Sequence, residues 1–157
     1  MEALGLPHEA FRWAAWGQSG LGWSRGYLCY SYATGLKWRN PDPQAKPRFQ
    51  WLTGKASSPW RSEWIKPHTS TVYLTEGESD CLALIAAGLE NAENVACVAI
   101  PSAPGFAPEW APLFKGKRVV LCFDDGPAGR DATANAAGAL KSHASEVFKW
   151  KGAAIHG

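Results

Sequence analysis

Twice in this chain a short apolar run ends in acidic residues, turns through glycine and passes straight into a helix-forming stretch. The first is Val72 to Asp80 (VYLTEGESD), which leads into Cys81 to Leu89, and the second is Arg118 to Asp131 (RVVLCFDDGPAGRD), which leads into an Ala-rich stretch ending near Ser145. Apolar strands alternating with helices read as parallel strands joined by crossover helices. Such sheets bind ligands in the crevice beyond the carboxyl ends of their strands. The acids therefore fall where this kind of fold places its chemistry.

The same reading extends from Val72 to the end of the chain. It predicts four core strands, Val72 to Thr75, Val95 to Ile100, Arg118 to Phe123 and Glu146 to Trp150. A helix is expected over Ser79 to Leu89, with Ser79 as its cap and Leu82, Ile85, Ala86 and Leu89 recurring at helical spacing. A second is expected over Gly129 to Ser145.

Upstream the texture differs. Trp13, Trp16, Trp23, Trp38, Trp51, Trp60 and Trp64 are interspersed with Pro and Gly, and no long helical period is visible. Arg25 to Tyr32 is dense in β-formers, Ala33-Thr34-Gly35 reads as a turn into a second strand at Leu36 to Arg39, and a third follows at Arg48 to Leu52. Asn40 to Pro47 holds too many prolines for a regular element and reads as an exposed loop. Ser57 to Thr71 reads as a linker. The expected fold is α/β, a mainly parallel four-stranded sheet flanked by helices and preceded by a small β-rich unit, with units at 1–70 and 71–157.

A hydrophobic fraction of 46% is ample for a packed interior. No stretch approaches the ~18 unbroken apolar residues of a membrane span. The first eleven residues carry Glu2, His8 and Glu9 instead of the basic and apolar regions of a secretory signal. The expected location is a reducing cytoplasm. Cys29, Cys81, Cys97 and Cys122 are far apart and form no Cys-x-x-Cys pair, so no structural zinc is expected. His8, His68, His143 and His156 have no metal-ligand spacing and receive no role.

The formal net charge of +2 conceals an asymmetry: up to Thr71 there are nine Lys and Arg against four acids, leaving +5 there and −3 over the remainder. The acids of the second part are the chemically informative ones. Glu76 closes a strand, Gly77 permits a sharp turn, and Asp80 falls in the first helical turn, where the helix dipole favours a carboxylate. Asp124 and Asp125 close the other strand. Magnesium prefers oxygen ligands, binds through one or two carboxylates together with water and substrate phosphates, and polarises a phosphoryl group. Two acidic strand ends on one sheet edge supply such ligands.

These segments resemble the Toprim domain of bacterial and phage primases, topoisomerases and several nucleases, and most closely its primase branch. The pattern Glu-Gly-x-x-Asp before an apolar helix matches Glu76, Gly77 and Asp80 with Leu82, Ala83 and Leu84. The pattern Phe-Asp-x-Asp-x-Ala-Gly-Arg-x-Ala matches Phe123, Asp124, Ala128, Gly129, Arg130 and Ala132. Its second aspartate is replaced by Gly126, with an acid one place earlier at Asp125. The third acidic cluster of the family is missing before Gly157, so a C-terminally truncated domain or a reduced site is expected.

The resemblance implies a DNA primase region that makes RNA primers on a single-stranded DNA template from nucleoside triphosphates, with a replicative helicase as a possible partner. Glu76, Asp80 and Asp124 would be catalytic, with Glu76 also a candidate general base, and Glu76, Asp124 and Asp125 would hold Mg²⁺ or Mn²⁺. Gly26 to Tyr32, Gly35, the Arg48 to Trp51 strand and Gly54 resemble the small subdomain that precedes Toprim in phage and plasmid primases. By that resemblance Arg25, Lys37, Arg39, Lys46, Arg48, Lys55 and Arg130 are candidate nucleic-acid contacts, and exposed tryptophans would stack on unpaired bases. The same resemblance leaves open a reduced module that only binds single strands or a replication partner, and a nuclease. Glu78 and Asp131 read as solvated charges, and most of the tryptophans as core.

Overall fold

A computed structural model describes residues 21–24, 27–101 and 105–151. Four antiparallel strands come first: β1 (Leu21–Ser24), β2 (Tyr27–Tyr32), β3 (Gly35–Arg39) and β4 (Phe49–Gly54), paired in sequence order. The expected Arg25 to Tyr32 strand starts at Tyr27, and Arg25 lies outside the described residues. β1 is an additional strand that sequence reasoning missed. The Asn40 to Pro47 segment is a loop.

The second sheet is wholly parallel, in the order β6-β5-β7-β8, with β5 (Thr71–Thr75), β6 (Val95–Ala99), β7 (Arg118–Cys122) and β8 (Glu146–Lys149). Each strand lies within a residue of its expected bounds. Helix α1 (Glu78–Ala86) follows β5, a 3₁₀ segment (Pro108–Phe114) follows β6, and α2 (Pro127–Leu140) follows β7. Both helices start earlier than periodicity suggested. Pro127 opens α2 because a helix's first position needs no N–H and proline already holds the required φ. Ser79 is not the cap of α1: Gly77 occupies that position and offers no side-chain bond.

Alternation along the parallel strands divides the core into two. Val72, Leu74, Val98, Val119 and Leu121 point to one face and pack under α2 and the 3₁₀ segment, with Trp110, Phe114, Ala136 and Leu140. On the other face Cys97 and Ala99 meet Cys81, Leu82 and Ile85 of α1, and this cluster continues into Leu21, Leu28 and Tyr30 of the antiparallel sheet. The two sheets thus share one core across α1.

The expected linker is in fact packed. Trp60, with no exposed surface, sits edge-on to Tyr30 and forms a one-residue antiparallel bridge to Ala99, covering the outer edge of β6. Its neighbour Arg61 is 1% exposed; its guanidinium donates to both Glu90 carboxylate oxygens (2.7 and 2.8 Å) and to the Cys97 carbonyl (2.9 Å). The polar composition of this stretch concealed a buried ion pair whose acid lies 29 residues away. All four cysteines are free thiols. Among the described residues no helix is long and apolar enough to cross a membrane.

Candidate metal centre

Parallel register places the two acidic strand ends together. Thr75 of β5 lies opposite Cys122 of β7, so Glu76 and, one position further along its strand, Asp124 leave the same rim of the sheet on adjacent strands, whose spacing is about 4.8 Å. Glu76 is half-buried, and its Oε2 is buried without any hydrogen-bond partner. A carboxylate oxygen so placed is costly to leave unsatisfied. Asp124 is exposed at the neighbouring strand end.

Asp80 completes the group from the first turn of α1. Its carboxyl is pushed up to about 6, first by burial and then by the charges of Asp124, Glu76 and Glu78, with Arg39 opposing. A helix N-terminus favours a carboxylate, yet here burial and crowding by like charges outweigh it. Glu76, Asp80 and Asp124 are therefore electrostatic neighbours.

Gly77 acts differently from expectation, and Gly129 has a role that was not anticipated. Gly77 has an extended backbone (φ −150°, ψ 160°) open to any residue, and a Cβ there would meet only Asp80 Oδ2 at an ordinary 3.6 Å, so no sharp turn requires it. Gly129 is the demanding position. A Cβ on it would fall 2.1 Å from the Asp124 carbonyl oxygen and 2.7 Å from its carbon. The first turn of α2 rests on the backbone of Asp124, and this contact fixes where that carboxylate begins.

Asp125 is differently disposed. Its Oδ1 accepts from Lys149 Nζ at 2.7 Å, and that bond, with the charge behind it, holds its carboxyl below the usual range. It is thus committed to the β8 side. Arg130 donates to the Asp125 carbonyl (2.6 Å) rather than to a carboxylate, tying the acidic turn to the helix that follows.

Glu78, expected as a solvated charge, is 2% exposed. Both of its oxygens accept from Lys37 Nζ (2.9 and 3.0 Å), and Oε1 also accepts from the Tyr32 hydroxyl. Burial and the Glu78 charge push the Tyr32 phenol upward. Arg39 donates to Ser79 and lies over the Phe49 ring. Lys37 and Arg39, expected at a phosphate-binding surface, are instead 4% and 8% exposed and clamp the start of α1. No local pattern announces this, because the partners are 40 and 41 residues apart. Lys46, Arg48, Lys55 and Arg130 are exposed, and Asp131 is exposed as expected.

The donor set suits a hard divalent ion: an orphaned Glu76 oxygen beside the carboxylates of Asp80 and Asp124. Among the described residues no three His, Cys, Asp or Glu groups already form a ligating cluster. Magnesium requires only one or two carboxylates, the rest coming from water and phosphate.

Comparison with known proteins agrees with this fold. No curated protein matches the chain. The crystal structure of the primase fragment of bacteriophage T7 primase-helicase superposes with a TM-score of 0.58 at 19% identity, over 95% of this chain. The chain spans 62% of the length of that fragment. Residues 73–153 match the family described as Toprim-like, a range that runs from within β5 through β8 and includes both acidic strand ends, and the chain belongs to that family.

Proposed function

We propose that this chain is the nucleotidyltransferase region of a primase, joining ribonucleotides on a single-stranded DNA template, with the units at 1–70 and 71–157 acting together. The observation that carries the reading is the orphaned Glu76 oxygen on the same sheet rim as Asp124 and beside the crowded Asp80. Glu76 and Asp124 would hold Mg²⁺ or Mn²⁺, with Asp80 near enough to bias the ion's position. A divalent ion there supplies charge stabilisation to a phosphoryl group in transfer.

In this mechanism a primer 3′ hydroxyl attacks the α-phosphorus of a nucleoside triphosphate. One P–O ester bond forms, the bond to pyrophosphate breaks, and the hydroxyl proton passes to Glu76 or to solvent. The likeness in fold to a T7 primase fragment supports this direction of chemistry. A replicative helicase is a fitting partner, since that relative is a primase-helicase. The Lys149 bond to Asp125 favours a second reading, a pared-down module that binds a single strand without catalysis.

Labelled ribonucleotides, an unlabelled single-stranded template and Mg²⁺ or Mn²⁺ test these readings, with Glu76→Gln run alongside. Oligonucleotide product from the wild type alone supports synthesis. Loss of the template identifies a nuclease, and template binding with neither product nor cleavage identifies the binding module.

A further inference from the structure

The strands of the second sheet all run the same way, so the loops that enter them share one rim and the loops that leave them share the other. The leaving rim holds Glu76, Asp124 and Asp125. The entering rim lies about 16 Å away, at ~3.3 Å per residue along the five residues of β5, and its charge is of the opposite sign. From residue 72 onward the chain has seven Lys and Arg against ten acids. Four of the seven, Lys115, Lys117, Arg118 and Lys141, fall where the chain enters β7 and β8, and Lys66 joins them from the stretch leading into β5. Of the ten acids, Glu90, Glu93 and Glu146 lie at this end, and Glu90 is taken by the buried Arg61.

The entering loops are tied together by their backbones. The Gly116 N–H donates to the His143 carbonyl, the Ser145 N–H to the Lys117 carbonyl and the Arg118 N–H to the Ser70 carbonyl, each at 2.9 Å. Because β5, β7 and β8 are successive neighbours about 4.8 Å apart, their cations stand in one row. Lys66, Lys115 and Lys141 are exposed, and among the described residues none has an ion-pair or hydrogen-bond partner for its ammonium. Lys117 Nζ donates to the Lys66 and Pro67 carbonyls (3.0 and 2.8 Å), which are neutral and leave its charge uncancelled. Arg118 is paired with Glu146 (2.8 Å). What remains is Lys66, Lys115, Lys117 and Lys141 against the exposed Glu93. A helix dipole accounts for Lys141, at the C-terminal end of α2, and leaves Lys66 and Lys115 without a structural reason.

The composition of this rim selects its partner. The exposed large apolar side chains of the described residues are Phe49, Leu113 and Phe148, and none of them belongs to the entering loops. A protein partner is anchored by apolar and aromatic side chains, and a base needs a ring on which to stack. A run of phosphates needs only cations and donors, which the lysine row and the exposed Ser142 and Ser145 supply.

We infer that the entering rim is a second nucleic-acid contact, which holds a phosphate backbone without reading its bases and without a divalent ion. It lies on the parallel sheet, apart from the basic residues of the antiparallel sheet, and does not depend on the catalytic reading. The acidic rim repels a polyanion and the lysine row attracts it, so the charge separation orients the chain on a strand. A single strand and a duplex both present that backbone.

The test acylates the lysines of the wild-type full chain in EDTA, with and without a thymidylate 30-mer or a 30-base-pair duplex, and reads each lysine by peptide mass spectrometry. Lys66, Lys115 and Lys141 should react roughly threefold more slowly with oligonucleotide present, through contact with its phosphates. That protection should persist in Lys46→Ala/Arg48→Ala. By anisotropy across a salt series, Lys115→Ala/Lys141→Ala should bind roughly fivefold more weakly, with a slope shallower by about 1.4 on the single strand or about 1.8 on the duplex, two contacts at ~0.7 or ~0.9 each. Glu93→Gln, which removes the rim's unpaired acid, should bind more tightly than the wild type. Stronger protection by one oligonucleotide assigns the source, and either assignment upholds the contact. Unchanged acylation at all three lysines, protection lost in Lys46→Ala/Arg48→Ala, equal protection by polyglutamate of the same charge, or wild-type affinity and slope in Lys115→Ala/Lys141→Ala would overturn it.

Discussion

Gly129→Ala and Gly138→Ala make the same chemical change on the same helix and should have opposite effects. In a helix interior alanine is favoured over glycine by about 1 kcal/mol, and Gly138 has nothing within 4 Å of where a Cβ would stand. Gly138→Ala should therefore stabilise the chain by up to about 1 kcal/mol. At Gly129 the same gain meets the Asp124 carbonyl at 2.1 Å, more than 1 Å inside the 3.4 Å at which ordinary contact begins. The neighbour is backbone and cannot rotate away, so the start of α2 must lift. Overpacking of this kind costs about 1–3 kcal/mol, and the upper end applies because Phe123, which precedes Asp124, and Ala136 of α2 are both held in the same core cluster. The net expectation is a loss of about 1–2 kcal/mol, leaving the two variants about 2–3 kcal/mol apart. Urea unfolding followed by far-UV circular dichroism reads this as midpoints moving in opposite directions at constant slope. If Gly129→Ala were as stable as the wild type, the claim that the helix rests on the Asp124 backbone would fail.

Asp80 gives a prediction that depends on pH. Its carboxyl is raised from 3.8 to about 6, so the ionised form is disfavoured in the fold; the associated stability is present below about pH 4 and is lost as pH rises through about 6. A shift of that size is worth about 3 kcal/mol at 1.36 kcal/mol per pH unit, reduced to about 1–2 kcal/mol because the group is partly exposed. Asp80→Asn should thus be about 1–2 kcal/mol more stable than the wild type at pH 7.5 and equal to it near pH 4, by urea midpoint at each pH. A difference independent of pH would mean the crowding is absent. Glu90→Ala leaves the Arg61 guanidinium buried and unpaired, and should cost about 3–5 kcal/mol in the same assay. A cost below about 1 kcal/mol, the value of an exposed pair, would show that Arg61 reaches water in the folded chain.

The parts legible in the sequence were those encoded locally. The four parallel strands announced themselves as apolar runs, and Glu76 and Asp124 were visible as acids closing two of those runs, because parallel register needs only that both strands end together. The Gly129 requirement was carried by the Ala-Gly-Arg pattern, although its physical reason, the close approach to Asp124, needed coordinates. What local sequence could not encode were pairings across long separations. Lys37 looked like a surface cation and Glu78 like a solvated acid because each was judged by its neighbours, whereas each is buried by the other. The Ser57 to Thr71 segment resembles a linker for the same reason, since the polarity of Arg61 hides its partner Glu90. One-residue shifts at an acidic turn are equally opaque: Asp125 is adjacent to Asp124 in sequence and yet is drawn to Lys149 on the next strand.

The placement of charge explains why the antiparallel sheet belongs to the site's architecture. Glu78 follows Glu76 by two residues and precedes Asp80 by two, so its carboxylate adds to the field that already raises Asp80. Buried alone, it would be strongly unfavourable; Lys37 from β3 neutralises it, Tyr32 from β2 satisfies a further lone pair, and Arg39 holds the adjacent Ser79. Both buried cations at the start of α1 are thereby engaged on the inner side of the helix. Glu76, Asp80 and Asp124 have no cation hydrogen-bonded to them among the described residues. The rim keeps its negative charge because the compensating charge has been directed two residues away, to Glu78. A cation from solution bound at this rim, as proposed above, would offset the crowding that raises Asp80 and restore the stability lost as pH rises from about 4 to about 6.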